Sequence, residues 1–298
     1  MTKTPQEPGW ATAKTLAEAL PFIQIYGRRI VVIKYGGHAM GEEALARLFA
    51  ADAVLLKLLG VHPVVVHGGG PQINAALAKM GVDSTFVSGL RITDEATMDV
   101  VEMVLAGQIN QEIVGLICMQ GGRAVGLSGK DDTFIRARKL AEVRAKSERG
   151  ADIMVDPGRV GEIVEIHPDV IDQLVKAGFI PVISPIGVDR EGQSLNINAD
   201  TAAGKVAEAL RAEKLILLTD VEAVRSGEGE LIRSLTAPQA AQLIERGVIH
   251  SGMIPKVQCG LDALAGGVKK VHMLDGRLKH AILLEIFTDQ GIGTEISR

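Results

Sequence analysis

The chain has 298 residues, of which 47% are hydrophobic, 23% charged and only 3% aromatic, and its formal net charge is −4. This length allows one large domain or two lobes around a buried core. The slight excess of acidic residues excludes nucleic acid and acidic membranes as default partners, and the low aromatic content excludes a stacking platform for single strands.

Neither cysteine nor histidine spacing indicates a disulfide framework or a metal site. Cys118 and Cys259 lie far apart, and no two histidines have the spacing of a metal-binding helix or hairpin. No stretch approaches the roughly 18 consecutive apolar residues of a membrane span, and residues 1–27 lack the pattern of a signal or transit peptide. We therefore expect a cytoplasmic protein that contacts no membrane and has no cysteine or histidine metal site.

The first predicted element is a short helix over residues 10–26. Its apolar residues recur at helical spacing and form one stripe: Ala13, Leu16, Ala17, Leu20 and Ile23. Two interpretations of this helix remain open. It packs on its own domain, or it is an arm that docks on another subunit.

Two strand, glycine and helix units follow in tandem. Each has a β-branched run, a glycine turn, and a helix with apolar residues three and four apart that ends at a glycine. The first unit covers residues 30–60, with its turn at Gly36-Gly37, and the second covers residues 63–81, with its turn at 68–70.

The rest of the chain continues this alternation without a low-complexity linker. Helices are predicted to begin at 93–95 and at 252, and to cover 167–178, 200–210 and 236–247. Strands are predicted at 124–127, 134–139, 160–166, 180–183, 215–218 and 268–274, with a hairpin turn at 189–192. The pattern is typical of an α/β fold whose mainly parallel sheet continues through two lobes.

Three glycine loops, each with a nearby cation or helix start, indicate phosphate binding. Backbone N–H groups at helix N-termini attract phosphates, and the loops lie at 34–37, 67–70 and 251–256. Lys34 ends the first strand and Lys256 lies just inside a helix, where ligands of open α/β sheets bind. The alternatives are a steric role for the glycines and a solvent-exposed position for each lysine.

Better-known nucleotide motifs are missing from the sequence. A P-loop requires Ser or Thr after its lysine, but Asp131 follows Lys130 and Val206 follows Lys205. The dinucleotide pattern fails because Ile73 occupies the position of the third glycine. A P-loop enzyme and a nicotinamide or flavin enzyme are therefore both disfavoured.

Six motifs in order together resemble the amino-acid kinase family. They are Lys34-Tyr35-Gly36-Gly37, Val66-His67-Gly68-Gly69-Gly70, Gly89-Leu90-Arg91, Leu195-Asn196-Ile197-Asn198-Ala199-Asp200, Leu218-Thr219-Asp220-Val221 and Gly252-Met253-Ile254-Pro255-Lys256. The combination is similar to the branch of the family that phosphorylates N-acetylglutamate, and the resemblance covers residues 28–298. It implies a three-layer αβα sandwich around a central, mainly parallel sheet.

The resemblance also implies an activity, namely ATP-dependent phosphorylation of the γ-carboxylate of N-acetyl-L-glutamate, the second step of arginine biosynthesis, with Mg²⁺. Lys34 and Lys256 would stabilise the transferring phosphoryl group, and Asp200 would orient them. The other implied site residues are Gly69, Gly70, Arg91 and Asn196 for acetylglutamate, and Gly36, Gly37, Thr219 and Asp220 for the nucleotide.

Elementary chemistry is compatible with these roles. A carboxylate acceptor has an ordinary pKa of about 4.3, so it is ionised at neutral pH and needs no general base. Two anions must nevertheless meet, and unit charges ~4 Å apart at an effective dielectric of ~20 repel by about 4 kcal/mol. Lysines and loop N–H groups offset this repulsion and favour the phosphoryl transition state.

Several structural interpretations remain open beside the functional ones. Arg91 can be a surface ion pair, Asn196 a turn residue and Asp200 a helix cap. Asp52 falls on an apolar helix stripe without a physical reason, and Ala223 stands where relatives have a glycine, which predicts an altered nucleotide loop. The chain as a whole can also act on aspartate, glutamate, carbamate or UMP, or be a ligand sensor without catalysis.

The resemblance finally implies an assembly and its control. Residues 1–27 would form an arm that links dimers into a hexamer, as a trimer of dimers, while 28–211 bind acetylglutamate and 212–298 bind the nucleotide. Arginine would act as a feedback inhibitor, and a small nitrogen-regulatory signalling protein is a further candidate partner. The implied arginine-site residues are His280, Glu285 and Gly293.

Overall fold

Buried β-branched runs form the strands of a large sheet, and amphipathic segments form helices on both of its faces. The structure is a computed structural model that describes residues 8–87, 89–146, 152–220, 222, 224–250, 252–288 and 291–298. The α-helices are α1 Pro8–Tyr26, α2 Glu43–Leu58, α3 Gly70–Lys79, α4 Glu95–Glu102, α5 Asn110–Met119, α6 Asp169–Lys176, α7 Ala199–Ala209, α8 Ala237–Glu245, α9 Met253–Ala265 and α10 Ala281–Phe287. A π-helical segment, Met103–Ile109, joins α4 to α5.

The strands number sixteen among the described residues. They are β1 Ile30–Tyr35, β2 His62–His67, β3 Phe86–Val87, β4 Leu90–Arg91, β5 Ala124–Ser128, β6 Ile135–Lys139, β7 Val143–Lys146, β8 Asp152–Val155, β9 Gly161–Ile166, β10 Ile180–Ser184, β11 Ile186–Val188, β12 Ser194–Asn196, β13 Lys214–Thr219, β14 Ser234–Thr236, β15 Lys270–Asp275 and β16 Thr294–Ser297.

The central sheet has eight strands in the order β14-β16-β15-β13-β1-β2-β10-β5. Lys34 of β1 pairs with Val66 of β2 on one side and with Leu217 of β13 on the other, both in parallel register. Within the described strands of this sheet, β15 and β16 form the antiparallel pair. The prediction of a mainly parallel sheet is confirmed.

Side chains alternate between two hydrophobic cores because successive strand residues point to opposite faces. One core joins Val32 and Val64 to residues of α6, α7 and α9. The other joins Val31 and Val65 to residues of α2, α3, the π-helical segment, α5 and α10. Helices therefore cover both faces of the sheet, and the predicted three-layer αβα architecture is confirmed.

Smaller β elements lie beside the central sheet. A four-stranded sheet has the order β12-β11-β6-β9, and it contains the predicted hairpin as the antiparallel β11–β12 pair. The pairs β3–β4 and β7–β8 are short ribbons that the sequence did not reveal. Strands of two to four residues depend on tertiary pairing rather than on an apolar pattern of their own.

Residues 95–119 form a helical run that is long and apolar enough, by length and composition alone, to cross a membrane. Several of its residues are almost fully buried against the sheet and α2, including Val101, Leu105 and Ile117. An apolar helix in the core of an α/β fold passes the same test of length and composition.

In the described structure helix α1 is exposed over most of its length and is partly buried at Ala19, Phe22, Ile23 and Tyr26. Trp10, Leu16 and Leu20 are exposed, with Leu16 at 63%. Phe22 and Tyr26 instead border a cavity on the last strands of the sheet. Most of the predicted apolar stripe is therefore not covered by its own domain.

Candidate active site

A cavity of about 220 Å³ opens at the carboxyl ends of β1 and β2. Its walls come from the glycine turns after these strands, from β4, and from the hairpin end that leads into α7. The predicted residues among its lining are Lys34, Gly37, Gly69, Gly70, Arg91, Asn196 and Asp200. Residues that are far apart in sequence therefore meet at one edge of the sheet, because parallel strands end at the same edge.

Two lysines bind one carboxylate at this cavity. Lys34 Nζ lies 3.0 Å from Asp200 Oδ1, and Lys256 Nζ lies 2.9 Å from Asp200 Oδ2. The Lys34 and Asp200 side chains are only 9% and 14% exposed. Burial raises the pKa of Asp200, but the two ammonium groups more than offset it and hold that pKa below its usual range. The group is therefore ionised and keeps both lysines turned toward one point.

Asp200 is not the cap of α7, so that structural interpretation is wrong. The Asn198 side chain caps the helix by accepting from the N–H groups of Asp200 and Thr201 at 2.9 and 3.1 Å. The Asp200 carboxylate, in the first turn, is thereby left to the lysines. Lys256 lies in the first turn of α9, with a side chain only 25% exposed, so the interpretation as a solvent-exposed surface lysine is also wrong.

Arg91 is buried rather than part of a surface ion pair, which corrects the structural alternative. Its guanidinium donates to Ser84 Oγ and to the Gly70 carbonyl at 3.3 Å, and it stacks over the Phe86 ring at 4.6 Å. Burial lowers its pKa, and in the described part of the chain no carboxylate pairs with it. A buried cation of this kind on a cavity wall is suited to an anionic ligand.

Asn196 lies on β12 and reaches the same cavity. Its amide donates to Thr93 Oγ1 at 3.3 Å, and Thr93 in turn donates to the Arg91 carbonyl at 2.9 Å. The hydrogen bonds link the hairpin end to β4. Asn196 and Arg91 therefore line the same cavity. Asn196 pairs with Ile186 in the β11–β12 hairpin and lies in a strand, not in a turn.

The turn after β1 approaches the loop after β13. Gly37 has φ +69°, and a methyl group there would overlap the Asp220 carboxylate, so only glycine fits. Thr219 is buried and donates to the Leu274 carbonyl at 3.3 Å. From β1 the chain continues outward to β2 on one side of the sheet, and from β13 it continues outward to β15 on the other side. The crevice between the ends of β1 and β13 is therefore the switch point, where α/β sheets bind nucleotides.

A magnesium ion would find oxygen ligands here, which suits its preference for carboxylates and phosphates. Asp220 supplies the carboxylate at this crevice, whereas Asp200 is engaged by the lysines. Among the described residues no group of three or more His, Cys, Asp or Glu side chains is arranged to hold a metal alone. The expected change at Ala223 lies outside the described residues.

The three residues expected around arginine do not come together. Glu285 and Gly293 line a second cavity of about 330 Å³, together with Tyr26 and Lys214. His280 lies outside this cavity and binds Asp52 Oδ1 through Nδ1 at 2.7 Å. This pairing also gives the physical reason for the polar Asp52 in an apolar helix face. Burial raises the pKa of Asp52, although the histidine opposes that shift.

Beside the predicted Glu285, the second cavity contains Lys214, His272 and Glu295, which sequence reasoning missed. The Glu285 carboxylate is buried and contacts Lys214 Nζ at 3.1 Å and His272 Nδ1. His272 Nε2 lies 2.9 Å from Glu295. These residues lie on three different strands and a helix, with no sequence motif in common. Their alignment on neighbouring strands is the signal that would have found them.

Comparison with known proteins identifies the family of the chain. The model of the amino acid kinase family matches residues 29–275. The chain belongs to the amino acid kinase family, and the prediction of a kinase of this family is confirmed. It is 58% identical to the acetylglutamate kinase of Geobacter sp. (strain M21) over 95% of this chain and 97% of the relative. It is 57% identical to the acetylglutamate kinase of Caulobacter sp. (strain K31), with both chains covered completely.

Solved structures of an N-acetylglutamate synthase from Neisseria gonorrhoeae share the fold. The complex with coenzyme A and N-acetyl-glutamate matches with a TM-score of 0.82 and 27% identity, over 96% of this chain. The complex with coenzyme A and L-arginine matches with a TM-score of 0.78 and 26% identity, also over 96% of this chain. The chain spans 63% and 65% of those two synthase chains, respectively.

Proposed function

We propose that the chain transfers the γ-phosphoryl group of ATP to the γ-carboxylate of N-acetyl-L-glutamate. The observation that supports this most is the bridging of Lys34 and Lys256 by Asp200 at a cavity that also contains a buried arginine. Relatives that carry the name acetylglutamate kinase, similar over nearly the whole chain, add independent support.

The lysines act on the charge that moves during transfer. Two ammonium groups and one carboxylate leave a net charge of +1 beside the cavity. That charge offsets the repulsion between the acceptor carboxylate and the phosphoryl oxygens, which is about 4 kcal/mol at ~4 Å and an effective dielectric of ~20. Because Asp200 fixes both ammonium groups before the substrates bind, little reorganisation is needed during the reaction.

The acceptor binds between Arg91, Asn196 and the start of α3. The guanidinium suits the α-carboxylate because its planar fork forms two parallel hydrogen bonds. The Asn196 amide suits the acetamido group, and the N–H groups of Gly69 and Gly70 lie at a helix start, where an anion is favoured. A carboxylate acceptor is ionised at neutral pH, so no general base is assigned.

The nucleotide binds at the crevice between the ends of β1 and β13. Gly36 and Gly37 follow β1 and offer backbone N–H groups to the phosphates, while Thr219 ends β13 and Asp220 follows it. Asp220 is the side chain that would hold Mg²⁺ at this crevice, and the ion would neutralise charge on the ATP phosphates when bound. The chain's 28–211 and 212–298 segments thus act as acceptor and nucleotide lobes.

Arginine inhibition, assembly and location are part of the same proposal. Glu285 and the Gly293 backbone, with Lys214 nearby, form a cavity suited to a cationic ligand with its own carboxylate. The exposed apolar residues of α1 support docking onto another subunit, in a hexamer of three dimers. The enzyme acts in arginine biosynthesis in the cytoplasm, and a nitrogen-regulatory signalling protein is a candidate partner.

An acceptor screen tests the catalytic proposal. ADP release is measured with ATP, Mg²⁺ and either N-acetyl-L-glutamate, glutamate, aspartate, carbamate or UMP. We expect N-acetyl-L-glutamate to be preferred, and Lys34→Ala to abolish most of the rate while the exposed control Lys79→Ala keeps it. A preference for another acceptor, or a rate unaffected by Lys34→Ala, would contradict the proposal.

Arginine titration and light scattering test the regulatory part. We expect activity to fall at millimolar arginine and the particle mass to match six chains. Dimers with activity indifferent to arginine would refute this part and leave the catalytic part standing.

A further inference from the structure

A buried histidine and a buried asparagine lie directly behind the glycine loop of the candidate acceptor site. His67 ends β2 and is fully buried, and Asn110 is 1% exposed at the point where the π-helical segment meets α5. Neither residue lines the cavity, and the proposed transfer assigns no role to either. Buried polar groups are costly unless paired, so their partners indicate what they do.

Their partners define one tautomer of the imidazole ring. His67 Nδ1 lies 2.9 Å from the Gly68 carbonyl, which can only accept, so Nδ1 carries the proton. Asn110 Nδ2 lies 2.9 Å from the Val182 carbonyl, which identifies it as the amide nitrogen, and it donates to His67 Nε2 at 3.2 Å. Burial lowers the pKa of His67 to about 4, so the ring is neutral at neutral pH.

The protonated Nδ1 orients the next peptide. In a trans peptide the C=O and N–H groups point in opposite directions. When the buried ring of His67 holds the Gly68 carbonyl, the Gly69 N–H is turned to the other side, where Gly68 and Gly69 border the cavity. Leu105 and Ile109 of the π-helical segment lie close to Gly69, since a methyl group there would overlap Ile109 Cδ1 and Leu105 Cδ2.

We propose that His67, held in its Nδ1–H tautomer by Asn110, is a positioning residue that aims the Gly69 N–H at the anionic acceptor. The inference rests on the proposed phosphoryl transfer and adds to it a residue that touches neither substrate. Gly126 of β5 supports it independently, because any side chain there would overlap Asn110 Oδ1. The absence of a side chain at Gly126 thus keeps open the space that the amide needs.

Two substitutions of His67 separate its hydrogen bond from its bulk. His67→Asn retains a donor, because the asparagine amide nitrogen is as far along the side chain as Nδ1, whereas His67→Leu does not. We expect His67→Leu to raise the KM for N-acetyl-L-glutamate by about tenfold to a hundredfold, as for the loss of one hydrogen bond to a charged group, with the KM for ATP nearly unchanged. His67→Asn restores most of that loss.

His62→Asn is the matched control, because His62 begins the same strand at the end opposite the cavity, about 17 Å away at the rise of a strand. It is expected to leave both KM values unchanged. Equal KM values in His67→Leu, His67→Asn and the wild type would overturn the proposal.

Asn110→Asp supplies a readout that a merely structural role would not change. A carboxylate can only accept, so it draws the ring proton to Nε2, and Nδ1 keeps its proton only when the ring is doubly protonated. The new carboxylate raises the pKa of His67 above its wild-type value of about 4. We therefore expect the acceptor kcat/KM of this variant to fall as pH rises through that raised pKa, while in the wild type no such limb occurs between about pH 6 and 9. An unchanged pH profile in a folded variant would overturn the proposal.

The titratable neighbours of the ring do not complicate this profile. Tyr35 pairs with His67 in the β1–β2 register, and burial raises the pKa of its phenol. Lys34 is one position along β1, opposite Val66. Burial lowers the pKa of His67, and the hydrogen bond to the Gly68 carbonyl opposes this with a smaller effect. In the described part of the chain, neither Tyr35 nor Lys34 contributes to this lowered pKa.

A spectroscopic measurement decides the case if Asn110→Asp or His67→Leu fails to fold. The ring nitrogens of ¹⁵N-histidine protein are recorded by NMR, and the His67 signals are assigned by their loss in His67→Asn. Shifts of an Nδ1–H tautomer are expected, and those of an Nε2–H tautomer would overturn the proposal. A wild type that releases no ADP with N-acetyl-L-glutamate would instead refute the proposed function, whatever the tautomer.

Discussion

Replacing Asp200 by asparagine removes the carboxylate that bridges Lys34 and Lys256 while keeping the size of the side chain. The two ammonium groups then lie near an amide that neutralises neither of them. We expect two separate losses, one in stability and one in turnover, because the carboxylate both stabilises the buried lysines and orients them.

The distances give the size of the stability loss. Contacts of 3.0 and 2.9 Å correspond to about 5.5 kcal/mol of attraction each at an effective dielectric of ~20. Desolvation offsets part of this, and removing one partner of a buried ion pair costs about 3–5 kcal/mol. We therefore expect the free energy of unfolding to fall by about 3 kcal/mol or more, and kcat to fall by about a hundredfold through misplaced ammonium groups.

Denaturant unfolding and ADP release measure the two losses. The control is Asp169→Asn, an exposed carboxylate in the first turn of α6; it should leave kcat unchanged and lower the free energy of unfolding by no more than about 1 kcal/mol, through the helix dipole. The folded-state pKa of Asp200 is lowered, so its contribution is fully present above the unfolded pKa of about 3.9 and is lost as pH falls through the folded pKa. The stability gap between the wild type and Asp200→Asn should therefore be constant at neutral pH and shrink in acid. The reasoning would be refuted if the free energy of unfolding of Asp200→Asn lay within about 0.5 kcal/mol of the wild-type value and its kcat within about threefold.

Four further predictions follow from single contacts. Arg91→Lys should raise the KM for N-acetyl-L-glutamate about tenfold, because lysine lacks the planar fork, whereas the exposed control Arg138→Lys should leave this KM unchanged. Gly69→Ala should also weaken acceptor binding, since its methyl group would meet Leu105 and Ile109, whereas Gly115→Ala has open space and should be neutral in the same assay. His280→Ala should lower the free energy of unfolding by about 1–3 kcal/mol, because it leaves the Asp52 carboxylate unpaired. Burial raises the pKa of Asp52, so this carboxylate is protonated in acid and the loss should decline there. Unfolding measured as a function of pH tests this. A maleimide should label exposed Cys118 but not Cys259 in the native protein, because burial raises the pKa of the Cys259 thiol to about 12; mass spectrometry showing two labels would contradict this.

The sequence allowed the strands and most helices of the central sheet to be predicted because their patterns are local. One example is the buried β-branched run that forms β1. Another is the helix predicted from residue 236, which is observed as α8 and which Thr236 caps in a full capping box with Gln239. The ribbons β3–β4 and β7–β8 could not be predicted, since their pairing depends on neighbours in space. The π-helical segment was also missed, because its residues keep a helical apolar pattern.

The candidate site was predicted through motifs, and its missing parts are those without motifs. Lys34, Asp200 and Lys256 belong to different motifs, and the fold brings them into contact. The pairing of Asp52 with His280 joins positions 228 residues apart, so no local pattern reveals it. The resemblance implied that His280 and Glu285 share one site, but the two side chains line different cavities. The lobe boundary near residue 211 stays a prediction.

The most direct test of the central claim is a crystal structure with MgADP, N-acetyl-L-glutamate and a metal fluoride in place of the transferring phosphoryl group. We predict that Nζ of Lys34 and Nζ of Lys256 both lie about 3 Å from the fluoride or from the oxygens that flank it, as expected for groups that stabilise developing charge. A complex in which both ammonium groups point away from that centre would contradict the claim.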